Sequence, residues 1–355
     1  EGMVKRASHN DTTDFSFGVG GCYKSVNPLL ELYSRDIPCL VPEKHARSFE
    51  ECQYKGLVPW SKVIPAPQFK TLLRTFIESL SDSISAIADS PYPSFFCETN
   101  KLFSMLVSAT LDKGKCVKFL DENDNHVLRS MVDKSDSSGV LPLPVYNRVS
   151  TKTGRLVVKE GPQILTMKKE HREVFVPRVP GNKLYEIDFT SLEPRVALNI
   201  SGKECSADVY SSFAEDSGME VDRDTAKLAV LCSLYGAGRY RLEKLLQKNA
   251  SPIKAHALLE AVKEYFSIKD LSSRLQEEAE AGYITNCFGR PIEVDDRRDS
   301  MLINNFLQSS ASDIAISGFL DFCRTLEKYV SPVFIIHDAL VFEASPKHSA
   351  IIKEY

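Results

Sequence analysis

Two apolar, β-type runs each carry an aspartate at their end or bend. They are Asp188 in Tyr185-Glu-Ile-Asp-Phe-Thr-Ser-Leu-Glu-Pro-Arg195 and Asp338 in Phe334-Ile-Ile-His-Asp-Ala-Leu-Val-Phe-Glu343. An ionised carboxylate in such a place is costly unless a cation meets it. Brought together by folding, the two would form a metal site. The plainer alternative is a pair of ordinary strand-end or turn aspartates, because Asp is common in turns. Two magnesium ions held about 3.5–4 Å apart can activate an attacking oxygen and stabilise a leaving oxygen in an in-line phosphoryl transfer. Nucleotidyl transfer is therefore the chemistry against which the other residues are weighed.

Length and charge narrow this little. At 355 residues the chain has room for two or three packed subdomains of about 100–200 residues each. A formal charge of −4 neither marks nor excludes a nucleic-acid binder, since a local basic channel can sit in an acidic remainder. The nine cysteines include no CxxC pair and the start lacks a secretory pattern, which points to a reducing, cytoplasmic setting. Cys22, Cys39, His45 and Cys52 lack the close spacing of structural zinc ligands. No apolar run reaches the roughly 18 residues of a membrane span, so no membrane partner is expected.

Residues 1–65 carry no long period, and the chain opens on Glu1, which reads as a fragment or a trimmed chain. Phe69, Leu72, Leu73, Phe76, Ile77 and Leu80, then Leu102, Phe103, Met105, Leu106 and Leu111, recur at helical spacing, predicting two helices joined around Pro91-Tyr-Pro93. The serine-rich stretch Asp133–Gly139 marks a loop. After it come β-type stretches, including 181–189. A mostly helical region spans 203–281, with one helix predicted from Asp222 to Tyr235 and ending near Gly236 and Gly238. A long helix over 300–329 and a hairpin over 333–343, turning at His337-Asp338, complete the pattern.

Three further groups carry chemistry. Arg223 and Lys227 lie four apart and project from one helix face, with Tyr235 about two turns beyond. Two cations one turn apart suit a triphosphate, and an aromatic ring suits a base; a solvated Arg/Lys stripe is the alternative. From Lys152 to Lys183 the basic residues Lys152, Arg155, Lys159, Lys168, Lys169, Arg172, Arg178 and Lys183 outnumber Glu160, Glu170 and Glu173. That excess suits a phosphate backbone, or simply a wet basic surface. Asn304 and Gln308 share a helix face and offer amides to base edges in a minor groove, unless they are plain surface positions.

In this order the segments resemble the motifs of the family A DNA polymerases. Thr153-Gly-Arg155 looks like the palm entry motif, with Gly161-Pro-Gln163 after it, and Asp188–Arg195 looks like motif A, DYSQIELR. Arg223, Lys227, Tyr235 and Gly236 fall at the spacing of motif B, RxxxKxxx(F/Y)xxxYG. Gly282–Arg290 and Asn304–Asp313 look like GYVTTLFGR and NxxxQGTAAD, and Ile336–Glu343 looks like motif C, VHDELVFE. The matches cover about residues 150–345.

The resemblance implies an α+β, right-hand polymerase fold with an antiparallel palm sheet, helical fingers and a helical thumb. Residues 1–65 stay unassigned, 66–150 would form the thumb, 151–204 the first part of the palm, 205–295 the fingers and 296–355 the rest of the palm. Asp188 and Asp338, with the Phe189 carbonyl, would bind two Mg2+ ions, for which Mn2+ could substitute. Arg223 and Lys227 would hold the incoming dNTP, with Lys227 also protonating pyrophosphate. Tyr235 would stack at the templating base, and Glu193 would crowd a ribose 2′-hydroxyl. Arg155, Gln163, Arg290, Asn304, Gln308 and His337 would touch primer–template DNA.

Four positions depart from the pattern. Leu231 stands where the family has Phe or Tyr, Ser191 replaces Gln, Ala339 replaces Glu, and Tyr210 replaces His; Leu231, Ser191 and Tyr210 are counted with the nucleotide site. These departures leave both aspartates in place, so the expectation is an active DNA polymerase with altered selectivity. Too little sequence precedes residue 150 for a proofreading exonuclease domain, which makes a separate exonuclease or processivity subunit a candidate partner. Small size and divergence suggest a phage or other mobile-element enzyme acting in a bacterial cytoplasm, with an organelle also open. The rivals are a single-subunit phage or mitochondrial-type RNA polymerase, which has an aliphatic residue near the Leu231 position, and a non-catalytic DNA-binding relative of the fold.

Overall fold

The computed structural model describes residues 90–355 apart from 123–124, 237–238 and 249–254, three strands in 3–25, and parts of 64–78. The strands β1 (Met3–Arg6), β2 (Phe15–Val19) and β3 (Cys22–Ser25) form an antiparallel sheet in the order β1-β2-β3. The chain divides into two units, Glu1–Ser90 and Pro91–Tyr355. Phe69 and Leu72 are helical as their spacing predicts. Leu73, Phe76, Ile77 and Leu80 lie outside the described residues, as do the side chains of Cys22, Cys39, His45 and Cys52.

The second unit opens with α1 (Tyr92–Thr99) and α2 (Lys101–Met105). Pro91 and Pro93 begin α1, where a missing N–H costs nothing. Leu111 falls in a short strand, β4 (Thr110–Leu111), and not in a helix. Next come α3 (Lys113–Glu122), α4 (His126–Lys134), β5 (Val145–Asn147), β6 (Val157–Glu160), β7 (Phe175–Val176) and β8 (Lys183–Asp188). Five helices then run from α5 (Leu192–Ile200) through α6 (Val209–Asp216), α7 (Arg223–Leu234) and α8 (Arg239–Lys248) to α9 (Ala255–Tyr265). The rest is α10 (Ile268–Ala279), β9 (Tyr283–Thr285), β10 (Pro291–Glu293), α11 (Asp299–Thr325), β11 (Val330–Ile336), β12 (Ala339–Ala344) and α12 (Ser349–Glu354).

The sheet that matters for function has the order β11-β12-β8 and is antiparallel throughout. Side chains alternate between its faces. Leu340, Phe342 and Ala344 on β12 belong with Tyr185 and Ile187 on β8 to the larger hydrophobic core, which α11 also enters. Val341 and Leu184 turn to a second core with Val333, Phe334 and Ile336, shared with Cys116 of α3 and Leu128 and Met131 of α4. Helices that the sequence places in a thumb therefore contribute to the core beneath the hairpin. Alternation sets Glu186 and Asp188 on the same side of β8 as Leu184.

Helix α11 is buried on many sides, from Leu302 to Cys323, as expected of a central helix. Helix α7 starts where Asp222 Oδ1 accepts the Thr225 N–H at 2.7 Å, and stops at Tyr235 and Gly236, the latter at φ +68°. A Cβ on Gly236 would collide with Ser300 of α11, so only glycine fits. Ala226, Ala229, Val230 and Leu234 point inward, which leaves Arg223 and Lys227 on the outer face.

One buried polar cluster joins distant parts of this unit. Arg148 donates to Asp313 Oδ1 at 2.5 Å, with the two side chains 1% and 0% exposed, and also to Thr99 and Asn100. Asn286 Nδ2 donates to Asp313 Oδ2 at 2.7 Å. Elsewhere, the buried Glu343 carboxylate accepts the Arg178 and Val179 N–H groups, both at 2.8 Å, and the Asn182 amide, fixing the loop that leads into β8.

Candidate active site

Strand pairing brings the two aspartates together. In the register of β12 with β8, Ala339 faces Asp188, and Asp338 is the residue just before Ala339 in the two-residue turn after Ile336. The Phe189 N–H donates to the Asp338 carbonyl at 3.2 Å, so the strand end and the hairpin turn are tied side by side. His337 opens the turn at φ +59°, a conformation that two-residue hairpin loops normally give to glycine or asparagine, and strain of this kind concentrates at functional sites. Burial holds the Asp188 carboxyl above its ordinary range, with the charges of Asp338 and Glu186 adding to the effect and Lys169 opposing it.

A group of three or more His, Cys, Asp or Glu side chains able to hold a metal is absent among the described residues. The donor set is instead two adjacent carboxylates with backbone carbonyls close by. These hard oxygens, whose mutual repulsion a cation would relieve, fit a magnesium ion that takes its other ligands from water and a phosphate.

Beside the aspartates a cleft is lined by Arg155, Leu156, Leu192, Glu193, Gln308, Ala311, Ser312, His337 and Asp338. Arg155 donates to Glu193 at 3.1 Å, and the Tyr235 hydroxyl also meets Glu193, whose charge together with burial pushes the Tyr235 phenol upward. Gln308 Nε2 donates to Asn304 Oδ1 at 2.6 Å, so one amide orients the other at the cleft wall. The Thr153-Gly-Arg155 turn is held by Ser312, whose hydroxyl donates to the Gly154 carbonyl at 2.9 Å.

Across α7, Arg223 Nε donates to Asp208 at 2.5 Å, which holds the Asp208 carboxyl down at about 2. The Tyr210 ring lies beneath both cations, 5.5 Å from the Arg223 guanidinium and 5.9 Å from Lys227 Nζ. Ser191, at φ +54°, lies close to the Tyr210 hydroxyl. Leu231 is half-buried on the same helix, and Ala339 is buried opposite Asp188. The Phe189 ring rests against Gly318 and Phe319 of α11.

Two residues expected to contact DNA are engaged within the protein. Arg290 is only 7% exposed, and its guanidinium donates to the Arg148 carbonyl at 2.7 Å and to the Tyr92 hydroxyl at 2.9 Å. It also packs against Gly154, where a Cβ would collide with it. An arginine so enclosed supports the Thr-Gly-Arg turn from within. Gln163 donates its amide to the Val158 carbonyl at 3.2 Å, outside the cleft wall described above. The basic stretch is also less positive than its count suggests. Lys152 pairs with Asp295, Arg155 with Glu193, Lys168 with Glu170, and Lys169 and Arg172 with Glu186.

Sequence reasoning missed Arg148 and Asp208, the first a buried ion-pair partner and the second the Arg223 anchor. Only the helix-capping position of Asp208 before Val209 offered a signal.

Residues 125–355 match the DNA polymerase family A description. The chain belongs to this family. Among curated relatives, a DNA polymerase of Mycobacterium phage L5 is 28% identical over 171 residues, which cover 46% of this chain and 28% of that protein. DNA polymerase I of Bacillus subtilis is 24% identical over 246 residues, covering 59% of this chain and 27% of the relative. The chain thus spans under a third of the length of these family A relatives. Among solved structures, the polymerase domain of Pol1 from M. smegmatis, in complex with DNA primer-template and dNTP, aligns with a TM-score of 0.50 at 19% identity. It covers 64% of this chain and 46% of that one, and supports the mixed α and β polymerase-domain fold. Among the described residues no helix is long and apolar enough to cross a membrane.

Proposed function

We propose that this chain is a template-directed DNA polymerase that adds dNTPs to a primer 3′ end. The observation that carries the reading is the pairing of β8 with β12, which sets Asp188 beside Asp338 at the mouth of a cleft lined by Arg155, Glu193, Gln308 and His337. Asp188, Asp338 and the Phe189 carbonyl would hold Mg2+, which when bound supplies charge neutralisation for the attacking and leaving oxygens. Arg223 and Lys227 grip the triphosphate, and Lys227 gives a proton to pyrophosphate. Tyr235 closes α7 on the templating base, while Asn304, Gln308, Arg155 and His337 bind the primer end. On this reading β8, β11, β12 and α11 are palm, and α6 to α10 are fingers. Primer–template DNA and dNTPs are its ligands.

Glu193 argues against RNA synthesis. Its carboxylate is held by Arg155 and Tyr235, so it cannot swing aside easily to admit a 2′-hydroxyl. Extension of a labelled primer should favour dNTPs over rNTPs by about 10- to 200-fold, the discrimination that one extra group commands in a fitted pocket. Preference for rNTPs would move the chain to the RNA polymerase class.

Leu231 bears on sugar choice. It keeps an apolar wall beside the sugar but lacks an aromatic surface and a hydroxyl. Leu231→Tyr should shift the ratio of dideoxy to deoxy nucleotide use by about 2- to 10-fold, the worth of one hydrogen bond. An unchanged ratio in competition assays would show that the sugar does not rest on this side chain.

A further inference from the structure

Arg223 and Lys227 present a physical problem that the sequence does not reveal. Like charges four residues apart on a helix repel, and long side chains lose rotamer freedom when they are fixed. A clamp made of these two alone would be spread and mobile before a nucleotide arrives.

The structure places one aromatic ring against both. Tyr210, in the first turn of α6, is 3% exposed, and its centroid is 5.5 Å from the Arg223 guanidinium and 5.9 Å from Lys227 Nζ. The face of an aromatic ring attracts cations through its quadrupole without carrying charge. It therefore offsets the repulsion between the two cations without adding a charge of its own, beside the Asp208 carboxylate that already engages Arg223. The ring is itself anchored. Asp208 caps α6 by accepting the Tyr210 N–H at 3.1 Å and also receives Arg223 Nε at 2.5 Å. At the far end of the ring, the hydroxyl meets Ser191 in the left-handed turn between β8 and α5, three residues beyond Asp188.

We propose, resting on the reading of Arg223 and Lys227 as the triphosphate clamp, that Tyr210 is a positioning residue: its ring holds the two cations side by side and its hydroxyl, seated on Ser191, braces that ring against the Asp188 strand end. A histidine at this position would carry a ring N–H able to donate to an anion, whereas the tyrosine in this chain acts through the cations. Ser191 and Tyr210, two separate departures from the family pattern, then form one unit. Binding gains because the clamp is ordered before the nucleotide arrives.

The test uses the full chain and single-nucleotide incorporation on a defined primer–template, with the KM for dNTP, kcat and the KM for DNA measured separately. Tyr210 is replaced by phenylalanine and then by phenylalanines of rising ring fluorination, which keep shape while removing the quadrupole. The KM for dNTP should rise stepwise, reaching about tenfold at full fluorination, as two modest cation–π contacts predict. The kcat and the KM for DNA should move less than threefold. Tyr210→Phe itself should cost two- to threefold in the KM for dNTP, and Ser191→Ala should add nothing on that background. Equal KM values across the fluorinated series would overturn the role of the ring, and additive losses for Ser191→Ala and Tyr210→Phe would overturn the brace. A wild-type chain that incorporates no dNTP would instead remove the polymerase reading on which the inference rests.

Discussion

Replacing Asp338 with alanine should lower single-nucleotide incorporation by about 10³-fold or more while leaving primer–template affinity within a few-fold of wild type. The magnitude follows from losing several kcal/mol of charge stabilisation at the reacting oxygens. Asp338 stands in a turn and not in the core, so the substitution removes a carboxylate without opening a cavity. The hairpin pairing of Ile336 with Ala339 and the Phe189 N–H bond to the Asp338 carbonyl involve backbone alone and survive in the variant. With its neighbour gone, the Asp188 carboxyl loses one of the charges that push it upward. The DNA contacts proposed for Arg155, Gln308 and His337 do not involve the Asp338 carboxylate, which is why binding and chemistry should separate. Rapid-quench incorporation set beside a DNA titration checks this. Retention of full activity would remove Asp338 from the metal site and return both aspartates to ordinary turn residues.

How much of this site could be read in the sequence depended on whether a residue's job is local or distant. Helix α7 was legible because its cap, its face and its stop lie within one stretch, from Asp222 to Gly236. The β11–β12 hairpin was legible for the same reason: an apolar run, a turn and a second apolar run are contiguous. The pairing of β8 with β12 was implied only by the resemblance, since no local pattern sets a register between strands so far apart. The burial of Arg290 was not legible, because a charged residue in a short motif looks exposed until its partners are known. Its ligands are the Arg148 carbonyl and the Tyr92 hydroxyl, 142 and 198 residues away. The pairing of the basic stretch was hidden likewise, because Glu186, Glu193 and Asp295, which neutralise most of its paired members, lie outside it.

The largest stability effect should come from Asp313→Ala, at about 3–5 kcal/mol. Asp313 is fully enclosed and meets three groups from three parts of the chain: Arg148 at 2.5 Å, Asn286 at 2.7 Å and, at the limit of an ion pair, Arg290 at 4.0 Å. Without it, two guanidinium groups stay buried with no carboxylate, and neither can be deprotonated to escape the cost. The loss should lower Tm on the order of 10 °C in a unit of this size. Asp313→Asn keeps an acceptor for Arg148 but not the charge, so it should fall between the two. Arg148→Met combined with Asp313→Leu should lose less than the sum of the single changes, because the uncompensated charge is then absent on one side. The same cluster secures the Thr153–Arg155 turn: Arg290 rests on Gly154 and on the Arg148 carbonyl, and Ser312, beside Asp313, holds the Gly154 carbonyl. Asp313→Ala should therefore lose incorporation at lower temperatures than it loses helical signal, as the Arg155 turn loosens before α11 does. Coincident loss of activity and helicity on heating would show that the cluster supports the fold as a whole and not the turn in particular.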